Sequence, residues 1–92
     1  MLRPHVAILQ NHLITRDRTE LRAKAAEADM ARLTGQRSAI DQAMFDPASA
    51  EPALAKLTMT ELMKRRAEIE ARIEAAEAEW LEASEALDAF AA

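Results

Sequence analysis

The sequence predicts an all-α fold, an antiparallel two-helix coiled-coil hairpin, and three observations predict it. Over residues 62–90 the positions Leu62, Arg66, Ile69, Ile73, Ala76, Trp80, Ala83, Leu87 and Phe90 recur at alternating steps of four and three. That is the a/d seam of a coiled coil, with Arg66 its one charged member. An earlier seam of the same kind reads Ala23, Ala26, Met30, Leu33, Arg37, Ile40 and Met44. Between the two lies an Asp46-Pro47 step, and the residue before a proline disfavours the helical conformation. A helix with so narrow an apolar stripe needs another helix against it, and each seam supplies the other's partner.

Composition agrees. The chain has 92 residues, enough for one small domain, with a single Gly, three Pro and two Phe. Ala, Glu, Arg and Leu dominate, as in long-helix proteins, and nothing suggests a sheet. Aromatic residues make up 3% of the chain, too few for a thick globular core. There is no Cys, which excludes disulfides and thiolate metal sites. No apolar run approaches the roughly 20 residues of a membrane span, and no signal-peptide pattern opens the chain. A cytoplasmic protein without a membrane partner is expected. The net charge of −4 argues against free-standing, non-specific binding to nucleic acid, but leaves room for a local basic patch.

Residues 1–16 read as an arm or short helix, with Pro4 in the first turn. Val6, Leu9, Leu13 and Ile14 fit one helical face. His5 and His12 lie two turns apart, but no carboxylate or further His completes a metal site, so two exposed imidazoles are expected. Asp17-Arg18-Thr19-Glu20 has the form of a capping box, which places the start of the first long helix at about residue 18 and its end at 45. Gly35 falls inside that helix, on an outer face, at a cost of about 1 kcal/mol relative to Ala.

The connection, residues 46–58, carries two of the prolines. Leu54 and Leu57 are expected to fold back onto the hairpin end, with a helical turn starting at Pro52. Thr58-Met59-Thr60-Glu61 is a second capping box. It opens a helix over about 59–90, roughly 48 Å long at 1.5 Å per residue.

Setting Met44 near Leu62 places Ile40 against Leu62 or Arg66, Leu33 against Ile69 or Ile73, and Met30 against Ile73 or Ala76. Ala23 and Ala26 then fall opposite Trp80, large against small. The indole is expected to be buried there with its N–H reaching a flank. The predicted core is Met30, Leu33, Ile40, Met44, Leu62, Ile69, Ile73, Trp80 and Leu87. Arg37 and Arg66 come out in nearly one layer, where cations need partners. Asp41 or Glu70 answers them, or their stems reach out to water.

Lys64, Arg65 and Arg66 form the only basic run. The second helix beyond Arg72 carries Glu74, Glu77, Glu79, Glu82, Glu85 and Asp88 with no cation. The hairpin is therefore expected to be basic near its loop end and acidic at its open end.

Catalytic patterns are missing from the sequence. There is no glycine-rich phosphate loop, no H-E-x-x-H and no Cys nucleophile. Ser38, Ser49 and Ser84 have no His nearby in sequence. A non-enzyme is expected, with no cofactor, no metal and no small-molecule substrate.

Two stretches carry a resemblance. Ala26-Glu27-Ala28-Asp29-Met30-Ala31-Arg32-Leu33-Thr34 is followed by Ala39-Ile40-Asp41-Gln42-Ala43-Met44-Phe45-Asp46-Pro47. After the connection comes Ala75-Ala76-Glu77-Ala78-Glu79-Trp80-Leu81-Glu82-Ala83-Ser84-Glu85-Ala86-Leu87. Over about residues 20–90 this resembles the C-terminal coiled-coil domain of ABC-F ATPases, proteins with two tandem ATP-binding cassettes. Both cassettes are missing from this chain, so ATP hydrolysis is not implied. The resemblance implies a helical hairpin and a contact role toward nucleic acid or the ribosome. The family's hairpin is commonly basic, whereas this one is acidic overall.

Two functions are therefore expected in competition. In the first, the hairpin contacts nucleic acid or the ribosome through Arg37, Lys56, Lys64, Arg65 and Arg66, as phosphate-positioning cations. In the second, it is a structural module for self-association or protein contact. Dimerisation is expected because Leu21, Leu54, Leu57, Met59, Met63 and Leu81 stay on the rim of a lone hairpin.

Overall fold

The computed structural model describes the backbone of residues 4–91 and the side chains of residues 13–91. Two long helices, α1 (Pro4–Phe45) and α3 (Met59–Ala91), pack against each other along an elongated body of 69 × 20 × 16 Å. A 3-10 turn (Pro47–Ser49) and the single-turn helix α2 (Pro52–Ala55) join them. No strand occurs among the described residues. The expected all-α hairpin is the fold.

One boundary differs from expectation. The chain is helical from Pro4, so residues 4–16 are the first turns of α1 and not a separate arm. Asp17 therefore lies inside a helix and caps nothing. The residues before it contain no helix breaker after Pro4, and adding a residue to an existing helix costs far less than starting one. Thr19, from the same apparent box, is buried on the seam, and its hydroxyl donates to the Thr15 carbonyl one turn back (2.8 Å).

The other end of α1 and the start of α3 follow the sequence closely. Asp46 still donates its N–H to the Gln42 carbonyl (2.7 Å) but is no longer helical, with φ −142° and ψ 82° ahead of Pro47. The Ser49 hydroxyl donates to the Asp46 carboxylate (2.7 Å) and ties the turn together. At α3 the capping box is complete. The Glu61 N–H donates to Thr58 Oγ1 (3.1 Å), and the Thr58 N–H donates to Glu61 Oε2 (3.0 Å).

The core follows the seams. Leu33, Ile40, Leu62, Ile69 and Ile73 are buried, with Ala23, Ala26 and Ala83 continuing the contact toward the open end. Four expected core residues, Met30, Met44, Trp80 and Leu87, are only half-buried. A two-helix body has no third layer to cover long side chains, so those off the centre line keep one side in water. At the loop end Ala43 takes the buried position beside Met44. There Ala50, Leu54 and Leu57 fold over the same cluster, as expected of the two leucines.

Cross-helix contacts establish the antiparallel register. Arg66 reaches Asp41, the Trp80 indole N–H donates to Glu27 Oε1 (2.9 Å), and Arg22 reaches Glu79 (2.7 Å). Each pair falls within a turn of the expected alignment.

Candidate functional site

The five candidate cations differ in their surroundings. Arg66 turns back onto its own hairpin: its Nε donates to Asp41 Oδ1 (2.6 Å), and its Nη1 donates to Glu70 Oε1. The hydrogen bond from Arg66 holds the Asp41 carboxyl below its ordinary pKa, with Arg66 and Arg37 adding charge attraction against the cost of desolvation. The same bond pushes the Arg66 guanidinium pKa up. Arg37 is half-buried on the seam nearby. The layer expected to need anions thus has them, and Arg66 cannot clamp a phosphate without giving up that pairing.

Lys56, Lys64 and Arg65 are exposed and carry no ion pair among the described residues. Of the five, Arg65 alone lines an open groove of about 700 Å³ between the helices and the connection. Arg32 and Arg72 share that groove with it, as do Glu51 and Glu68. These two arginines were missed in the sequence, although Arg72 follows Arg65 by one heptad and so shares its face. Between positions 41 and 70 the chain holds four cations (Lys56, Lys64, Arg65, Arg66) and six carboxylates (Asp41, Asp46, Glu51, Glu61, Glu68, Glu70). The loop end is therefore not the basic pole that the Lys64–Arg66 run suggested.

Three exposed large apolar side chains sit at the same end. Phe45, the last residue of α1, is 93% exposed, and Met59 and Met63 on α3 are 51% and 57% exposed. Met59 and Met63 are one turn apart on one face. Met63 and Met44 line a common groove of about 340 Å³ that runs up to Arg66 and Glu70. Phe45 was read only as a helix terminus. Its signal is that it lies one step off the seam with the chain reversing immediately after it, so nothing returns to cover it.

The open end is built from different parts. Arg22 spans Glu79 (2.7 Å) and Glu82 (3.7 Å) on α3. The Arg22 hydrogen bond lowers the Glu79 pKa. Trp80 is half-buried and its N–H is satisfied by Glu27, matching the flank contact expected. No group of three potential metal ligands occurs among the described residues. His5 and His12 lie outside the described side chains. No described helix is long and apolar enough to cross a membrane.

The fold and these surfaces define a class, a two-helix hairpin with an apolar tip and an ion-paired seam. No protein-family model matches the chain, and neither a curated protein nor a solved structure matches it.

Proposed function

We propose that this chain is a cytoplasmic, non-catalytic contact module that meets a protein partner through the apolar tip of its hairpin. The observation that carries this reading is that Phe45, Met59 and Met63, all at the loop end, are exposed. Exposed aromatic and methionine side chains supply contact area that adapts to a partner, and such patches mark interaction sites. The neutralised Arg66 and the acidic balance of the loop end support a protein over a polyanion. The ABC-F resemblance supports a contact role for the hairpin without deciding the partner. The experiment is photo-cross-linking in cells from position 45, with position 64 as the comparison. A discrete protein adduct from position 45, lost on Met59→Ser/Met63→Ser, is expected; adducts to nucleic acid from position 64 instead would overturn the reading.

A second reading keeps the nucleic-acid or ribosome contact, now through Lys56, Lys64 and Arg65 alone, and it is favoured by their being exposed and unpaired. It requires binding to RNA or duplex DNA that weakens between about 50 and 200 mM salt and is lost in Lys64→Glu/Arg65→Glu.

A separate exposed apolar set, Leu13, Ile14, Leu21 and Leu81, lies toward the open end. We assign it to self-association as a dimer.

A further inference from the structure

We propose that Met59 and Met63 form an oxidation switch: hydrogen peroxide converts the pair to methionine sulfoxides, and contact through the hairpin tip is turned off. The switching half rests on the protein contact proposed above. The reactivity of the pair rests on exposure alone.

The chain has no Cys and five methionines, so thioethers are its whole stock of sulfur. A thioether carries no proton, so access rather than ionisation governs its reaction with peroxide. Met59 and Met63 are 51% and 57% exposed. Met30 and Met44 are half-buried, Met44 against the core cluster. These four methionines therefore divide into an outer pair and an inner pair. The outer two lie one turn apart on one face of α3, at the loop end.

The step needs no reactant besides the peroxide. A lone pair on the methionine Sδ attacks one peroxide oxygen, the O–O bond breaks and an S–O bond forms. Sulfur loses two electrons and the peroxide gains them. The proton on the transferred oxygen passes to the departing hydroxide, which leaves as water.

The product is a polar, chiral side chain where a flexible apolar one stood. Burying a sulfoxide oxygen against a partner costs free energy unless a hydrogen bond answers it. The hairpin itself does not depend on these two side chains. The cap of α3 is made by Thr58 and Glu61, and neither reciprocal bond involves a methionine side chain. Met59 and Met63 lie outside the core cluster, whereas oxidation of Met44 would loosen it.

The first arm of the test treats the purified chain with hydrogen peroxide for graded times and maps the oxidised peptides by mass. Met59 and Met63 should each gain one oxygen before Met30 and Met44 do, with the helical circular dichroism unchanged. An inner methionine that reacts as fast, or a loss of helix at that stage, overturns the proposal. In the second arm the chain carrying a photo-cross-linker at position 45 is oxidised to the same stage. The peroxide is removed before the chain meets cell extract. The adduct formed by the untreated chain should be lost. Met59→Leu/Met63→Leu keeps the apolar bulk and has no sulfur to oxidise, so its adduct should survive the same treatment. A wild-type adduct that persists, or a leucine-variant adduct that is lost, overturns the switch. No adduct from the untreated chain overturns the contact reading and the switch with it, while the order of oxidation is still read by mass.

Discussion

Asp41 and Glu79 tie the hairpin's stability to pH. Arg66 and Arg22 hold their pKa values below the ordinary carboxylate range through hydrogen bonds across the helix pair. A carboxylate with a depressed pKa in the folded state stabilises it above the unfolded value, near pH 4. That contribution is lost as pH falls through the folded pKa. The arginines stay charged throughout. Thermal melts followed by circular dichroism should therefore show a lower Tm at about pH 3 than at pH 7, and Asp41→Asn/Glu79→Gln should shrink that difference. A double variant with the full wild-type difference would show that the two bridges do not set it. Gly35 is the other residue with a clear expectation. A Cβ there meets nothing within 4 Å, and its backbone φ is not positive. Gly35→Ala should stabilise the helix by about 0.5–1 kcal/mol, read as a higher denaturation midpoint.

At the scale of the element, the two capping-box sequences make a matched pair. Thr58 makes both reciprocal bonds at the start of α3, and Asp17 lies in mid-helix and makes no cap. Thr58→Ala should cost about 1 kcal/mol of unfolding free energy. Asp17→Ala should stay within about 0.5 kcal/mol of the wild type, as surface substitutions do. Equal losses from both would mean that α1 begins at residue 18 after all. The two motifs look alike in sequence, because each is a short polar side chain followed at three residues by Glu. What differs is the preceding chain. Before Thr58 stand Pro52 and the turn that ends α2, whereas before Asp17 stands a run that helices accept. The Asp46-Pro47 stop was legible because a proline ring acts on its neighbour whatever the tertiary context.

Over the whole molecule, stability rests on a single line of contact between two helices. Leu33 lies in its centre, packed in one cluster with Ile40, Ile69 and Ile73. Leu33→Ala should cost about 2–5 kcal/mol, a large part of the roughly 5–15 kcal/mol that folded domains possess. Denaturation should show a marked loss, whereas Leu21→Ala, at an exposed position, should change little. Met30, Met44, Trp80 and Leu87 were placed in the core by their spacing, which marks the direction a side chain faces but not how much protein lies beyond it. Arg66 left the basic run for a related reason. Lys64, Arg65 and Arg66 are neighbours in sequence, yet successive helical residues point about 100° apart. The third of them met Asp41 from the other helix.

The sequence by itself determined the all-α class, the two seams, the stop at Pro47, the box at Thr58 and the antiparallel register. These depend on local backbone sterics and on a periodicity that a single chain displays. Tertiary structure alone decided that Ala43 is buried beside Met44 and that Arg66 is answered by Asp41 and Glu70. It also decided that Phe45 stands almost wholly in water. Each of those depends on what a second helix brings alongside, or fails to bring, and the spacing of residues along one helix carries no record of that.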